Sequence, residues 1–91
     1  MKNKLLQIIK KYGVRNQLRK LNEEVFELIE AIRDYEEDYT RVDLKEHVIE
    51  EIGDVLNVVE QFLYYYEIDI NDVIESKHKK VDRQLKRMEE E

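Results

Sequence analysis

Cysteine and proline are absent from this chain, and glycine occurs only twice, as Gly13 and Gly53. Without cysteine the protein has neither disulfides nor thiolate metal sites, a composition that suits a reducing cytosol. Without proline, and with so little glycine, it lacks the residues that punctuate strands and tight turns. No apolar stretch is long enough to cross a bilayer. The segment around Leu5 and Leu6 is broken by Gln7 and followed by Lys10 and Lys11, and no small-residue cleavage site follows it. A cytoplasmic location and no membrane partner are therefore expected. An excess of positive charge is missing too. The net charge is -6, and the basic residues gather near the C-terminus among acids, so duplex nucleic acid is not an expected partner.

What remains is 42% charged and 42% hydrophobic over 91 residues, a mixture that suits long amphipathic helices in a single domain, residues 1–91. A domain of this size buries only about 60–65% of its unfolded surface, and association with further copies is a natural remedy. Four helices are predicted. The first covers 3–11 and stops at Gly13, where the left-handed helical conformation suits glycine. The second covers 15–38, with Val14, Leu18, Leu21, Val25, Leu28, Ile32, Tyr35 and Tyr39 in one stripe. Asp43 and Glu46 read as an N-cap with its reciprocal acid for a third helix, 44–66, striped by Leu44, Val48, Ile52, Val55, Val59, Phe62 and Tyr66. Asp69 reads as the cap of a fourth, 70–88, whose stripe Ile70, Ile74, Val81, Leu85 and Met88 is interrupted by Lys77. The short link between the second and third helices predicts antiparallel packing. The expected fold class is all-α, an antiparallel four-helix bundle.

Two segments are written alike. LNEEVFELIE, residues 21–30, and VIEEIGDVLN, residues 48–57, each set a glutamate pair in an apolar run with another acid three residues on. At 100° per residue, Glu24 lies roughly 70–80° from the centre of its stripe and Glu27 roughly 130°. Glu51 and Asp54 hold about the same offsets in the same sense. A local two-fold axis relates antiparallel helices and carries a shoulder of one to the same side of the other. All four carboxylates are therefore predicted to rise on one side, each pair adjacent at i and i+3. Such a group repels itself unless protons or cations neutralise it. Oxygen ligands of this kind suit Mg²⁺ or Mn²⁺, and Mg²⁺ tends to arrive with phosphates. A single E-x-x-E on a helix is ordinarily solvated surface; the matched register of two supports the metal-site reading. Glu23 and Glu50 point farther from the stripe and read as solvated, with a supporting or second-metal role if a partner subunit covers that face.

EEVFE at 23–27 followed by EIGD at 51–54 resembles the EExxE…ExxD signature of MazG-like nucleotide pyrophosphohydrolases. That all-α group also takes in phosphoribosyl-ATP pyrophosphohydrolase and the dimeric dUTPases. KLNEE and EEIGDVLNVV extend the likeness, and IDINDVIESKHKK resembles the family segment that carries a phosphate-binding lysine, so that about residues 15–84 are covered. The resemblance implies cleavage of a nucleoside triphosphate between its α and β phosphates, giving a monophosphate and pyrophosphate. It implies metal ligands at Glu24, Glu27, Glu51 and Asp54, the four that helix geometry brings together. Mg²⁺, or Mn²⁺ in its place, would hold phosphate oxygens and lower the pKa of an attacking water. Glu23 or Glu24 would take the proton. Lys77 is expected to bind phosphate as a point charge, or else to lay its stem along the stripe with its ammonium in water. Lys80 and Arg83 are expected to assist it, or to offset the helix dipole. Family members often carry an Asn and an Arg soon after this lysine. Here Val81 and Asp82 stand where the Asn would be, and Arg83 is the nearest Arg.

The implied assembly is a MazG-like fold completed as a homodimer or homotetramer, the partner helping to close the cleft. Two other functions stay open: a phosphoribosyl-ATP-type pyrophosphohydrolase, and a non-enzymatic helical module for assembly or binding. Asn57, one turn beyond Asp54, is a candidate for holding a water or a ligand group, or an ordinary surface residue. Gly53 is expected to mark a close helix approach. His47 and His78 read as surface, and Tyr64, Tyr65 and Tyr66 as packing or interface residues.

Overall fold

Apolar and charged residues recur at helical spacing over nearly the whole chain, and little of it lies outside a helix. The computed structural model describes residues 1–91. It contains α1, Lys2–Tyr12; α2, Val14–Glu37; α3, Val42–Tyr65; and α4, Ile70–Glu90. The all-α, four-helix expectation holds.

The junctions explain these boundaries. Gly13 ends α1 and opens α2 in a single residue, with φ 88° and ψ 156°. That is not the left-handed helical conformation expected but an extended one at positive φ, open essentially to glycine alone. Its N–H donates to the Ile9 carbonyl at 2.8 Å, and its own carbonyl accepts from Gln17 N at 3.1 Å. Asp43 does not cap α3, contrary to expectation. The helix begins at Val42, and the Asp43 carboxylate instead accepts both Nε (3.1 Å) and Nη2 (2.6 Å) of Arg41. A two-pronged charged fork outcompetes a single backbone donor. At the end of α3, Ile68 N bonds Leu63 O and Glu67 N bonds Tyr64 O, with Glu67 at φ 54°. This is a Schellman ending with glutamate where glycine is usual. Asp69 caps α4 as expected, its Oδ1 accepting from Asn71 N at 2.9 Å.

Only three of the helices pack together. α2 lies along α3, and α1 crosses both, chiefly against α3. Gln17 meets Gln61 while Glu24 meets Glu51 and Asp54, so α2 and α3 are antiparallel. α4 forms no extended interface with the others, and none of its 21 residues is buried.

The packed seam is not the apolar stripe. The seam runs through Gln17, Leu21, Glu24, Leu28, Ala31 and Tyr35 of α2 and Leu44, Val48, Glu51, Val55, Val58 and Phe62 of α3; Val14, Glu60, Gln61, Leu63 and Tyr64 are also buried or half-buried. At 100° per residue the seam is turned from the stripe by about 50° on α2 and about 35° on α3, both times toward the acids. Leu18, Val25, Ile29 and Ile32 of α2 remain exposed, as do Ile49, Ile52, Leu56 and Val59 of α3. They lie about 100° from the seam, on the side opposite the acids. The chain is correspondingly open. Its accessible surface is 7694 Å², against the roughly 5,700 Å² expected of a compact monomer of this mass. Its radius of gyration is 16.2 Å, against about 12 Å for a compact chain of this length.

Candidate active site

Four polar side chains are buried in this protein, Gln17, Glu24, Glu51 and Gln61, and all four lie where α2 faces α3. Helical register puts them there: they occupy seam positions that apolar residues would fill more favourably. A buried carboxylate needs a compensating cation or hydrogen bonds. Glu24 has one partner, Lys20, whose Nζ lies 2.9 Å from Oε1. The other oxygen, Glu24 Oε2, and Glu51 Oε2 are shut off from solvent with no hydrogen-bond partner. One carboxylate oxygen each from Glu24, Glu51 and Asp54 lie within 4.8 Å of one another. Asp54 is exposed and opens this trio to the exterior.

Glu27, the fourth expected ligand, stands at the rim and is exposed. Its carboxyl is pushed above the ordinary range, first by the negative charge of Glu24, then by partial loss of hydration and by the charge of Glu51. It therefore shares the field of the trio. Lys20 feels the same field with opposite sign. Its bond to Glu24 holds its ammonium above the usual lysine range, with that carboxylate's charge acting in the same direction.

Glu24 and Asp54 of the trio line one end of a cleft of about 520 Å³ between α1, α2 and α3. Arg19, Lys20, Glu23, Glu24 and Asp54 line the charged end. Toward Gln17 and Gln61, roughly 10 Å along the α2 axis, the lining is uncharged. Glu23 borders the cleft without belonging to the trio, and Glu50 is solvated as expected. Lys77, Lys80 and Arg83 are not in this cleft. They lie over shallow concavities of α4 itself, Lys77 beside Val73 and Val81, and Arg83 beside Asp72 and Glu75.

Other expectations need adjustment. Gly53 marks no close approach, since a methyl group there would meet nothing within 4 Å. It faces away from the seam. His47 is exposed, as expected, and lies one turn before Glu51, with Nε2 3.9 Å from Glu51 Oε1 and Nδ1 4.0 Å from Glu50 Oε2. Tyr64 is half-buried with the Lys2 ammonium 5.9 Å from its ring centroid, while Tyr66 stacks on Phe62. Sequence reasoning missed Lys20, Gln17 and Gln61. Lys20 was legible from its i,i+4 spacing to Glu24. Gln17 was legible from its position one heptad before Glu24.

An all-α bundle that brings carboxylates from two antiparallel helices around one point, two of them with sequestered partnerless oxygens, has the donor set of a helical divalent-cation centre. The model of the MazG nucleotide pyrophosphohydrolase domain matches residues 7–88, nearly the whole chain, and the chain belongs to that family. No curated protein and no solved structure matches it.

Proposed function

We propose that the protein hydrolyses a nucleoside triphosphate between its α and β phosphates, releasing a nucleoside monophosphate and pyrophosphate, with Mg²⁺ as its metal and Mn²⁺ able to replace it. The supporting observation is the pair of sequestered, partnerless oxygens on Glu24 and Glu51, grouped with Asp54 beside a ligand-sized cleft that Glu24 and Asp54 line. Neutral hydrogen-bond donors would satisfy a structural pair; here none is supplied, and a hard cation fits the all-oxygen donor set.

Glu24, Glu51 and Asp54 would hold the metal, with Glu27 joining from the rim. When bound, the metal polarises phosphate oxygens and lowers the pKa of water. Glu23 borders the cleft outside the trio, so it is the carboxylate free to take the proton as the water oxygen bonds to phosphorus and the anhydride bond breaks. Glu24, held by Lys20 and the trio, is the less available of the two candidates. Lys20 offsets part of the acids' charge and stands where it meets an incoming phosphate.

The protein acts as a homodimer or homotetramer. The exposed apolar side of α2 and α3 and the roughly 2,000 Å² of surplus surface suit burial against a second copy. α4 then lies on that copy, and Lys77, Lys80 and Arg83 reach triphosphate in the assembled cleft. The test is pyrophosphate release from a panel of nucleoside triphosphates with Mg²⁺ or Mn²⁺, paired with sedimentation. Release by wild type and its loss in Glu51→Gln support the proposal. A protein that consumes no nucleotide from a broad panel contradicts it.

A further inference from the structure

Gln17 and Gln61 have no role in the chemistry above, yet they are among the most buried side chains of the protein, 6% and 2% exposed. Gln17 Nε2 donates to Gln61 Oε1 at 2.8 Å, across the α2–α3 seam. Gln61 Nε2 in turn donates to Asn57 Oδ1 at 3.3 Å. A buried amide pair contributes little more to stability than an apolar pair of the same shape. What it adds is direction. The ladder runs one way, from Gln17 through Gln61 to Asn57, and ends on an exposed amide that borders the cleft. Because Asn57 Oδ1 is occupied from behind, its Nδ2 hydrogens are what it offers to a ligand.

The opposite wall carries the complement. Asn16 Nδ2 donates to the Tyr12 carbonyl at 2.6 Å, leaving Asn16 Oδ1 as a free acceptor. The exposed Tyr12 ring and the apolar side chains of Ile8 and Val58 complete this end. A donor, an acceptor, an aromatic face and an apolar floor match a planar uncharged heterocycle with hydrogen-bonding edges.

We propose that this end of the cleft is a nucleobase subsite, in which Asn57 and Asn16 meet the edge of the base and Tyr12 its face. Gln61 and Gln17 are positioning residues that hold the Asn57 amide in one orientation. The triphosphate would then extend toward Glu24 and Asp54, an assignment that rests on the pyrophosphohydrolase reading.

The test compares nucleoside triphosphates with inorganic tripolyphosphate, which carries the anhydride but no base. Asn57→Ala is expected to raise KM for the nucleotide about tenfold or more, a loss on the order of one well-made hydrogen bond. The effect on tripolyphosphate should be at least several-fold smaller. Gln61→Leu should raise KM in the same direction with little change in kcat, because it acts only through Asn57. Equal losses on both substrates overturn the subsite, as does an unchanged nucleotide KM in Asn57→Ala and Tyr12→Ala.

A second measurement separates this inference from the reaction itself. Metal-free wild-type protein is titrated with a nucleoside monophosphate while the Asn57 side-chain amide and the Tyr12 ring are followed by NMR. Shifts concentrated on those groups uphold the subsite even if no triphosphate is hydrolysed. Absence of any shift at saturating monophosphate overturns it even if hydrolysis is found.

Discussion

Replacing Glu51 by glutamine perturbs the site at its most sensitive atom. Glu51 is a nearly buried carboxylate whose Oε2 has no hydrogen-bond partner and whose Oε1 has only His47, 3.9 Å away. Leaving a buried polar atom unsatisfied costs about 1–3 kcal/mol, and more when the group is charged. Glutamine has the same shape, removes one negative charge from the trio, and supplies an N–H donor within reach of Glu24 or Asp54. Metal-free Glu51→Gln should therefore be more stable than metal-free wild type by about 1–3 kcal/mol. For a chain of this length each kcal/mol is worth about 4–8 °C in Tm. Added Mg²⁺ should reverse the order. At a hundredfold excess over Kd, a bound ligand stabilises its protein by about 2.7 kcal/mol, and only wild type should collect that gain. The assay is differential scanning calorimetry in chelator and in Mg²⁺, at matched protein concentration. A variant that melts lower than wild type in chelator, or gains as much from Mg²⁺, would refute the reasoning.

Three further outcomes are expected. Lys20→Met removes the cation that holds Glu24 in the metal-free protein, so Mn²⁺ should bind about two- to fivefold more tightly, as read by calorimetric titration, while pyrophosphate release falls. Gly53→Ala should stabilise the protein by about 0.5–1 kcal/mol in urea denaturation, because a Cβ there meets nothing. A destabilised variant would mean that another chain covers this face. Glu27 binds its proton more tightly folded than unfolded when no metal is present, because Glu24 and Glu51 repel its charged form. Its contribution to stability is present below the ordinary carboxylate range and is lost as pH rises through the raised folded value. Chelated wild type should accordingly lose stability relative to Glu27→Gln as pH rises out of the ordinary carboxylate range, and urea midpoints that run parallel over that rise would contradict the coupling.

The four helices were legible because their signals are local: Gly13 between two periodic runs, Asp69 before α4, steps of four and three throughout. The acid trio was legible because two helices repeat one register. The orientation of the seam was not. Each of α2 and α3 carries apolar residues on two faces, one packed inside the chain and one exposed, and a single stripe drawn through both falls between them. Gln17, Glu24, Glu51 and Gln61 occupy inner positions that hydrophobicity alone assigns to solvent. The isolation of α4 was equally invisible. An amphipathic pattern says that a face requires cover and not which molecule supplies it, so Lys77 appeared to point at the acids when its helix stands apart from them. Asp43 illustrates a third limit: a cap motif competes with every nearby cation, and Arg41 lies two residues away.

The most direct test of the proposed metal centre is Mn²⁺ binding followed by electron paramagnetic resonance, with Glu24→Gln, Glu51→Gln and Asp54→Asn compared with wild type. Saturable binding by wild type, weakened at least tenfold by each single substitution, is the predicted result. Binding that survives all three substitutions unchanged, or wild type that takes up no Mn²⁺, would contradict it.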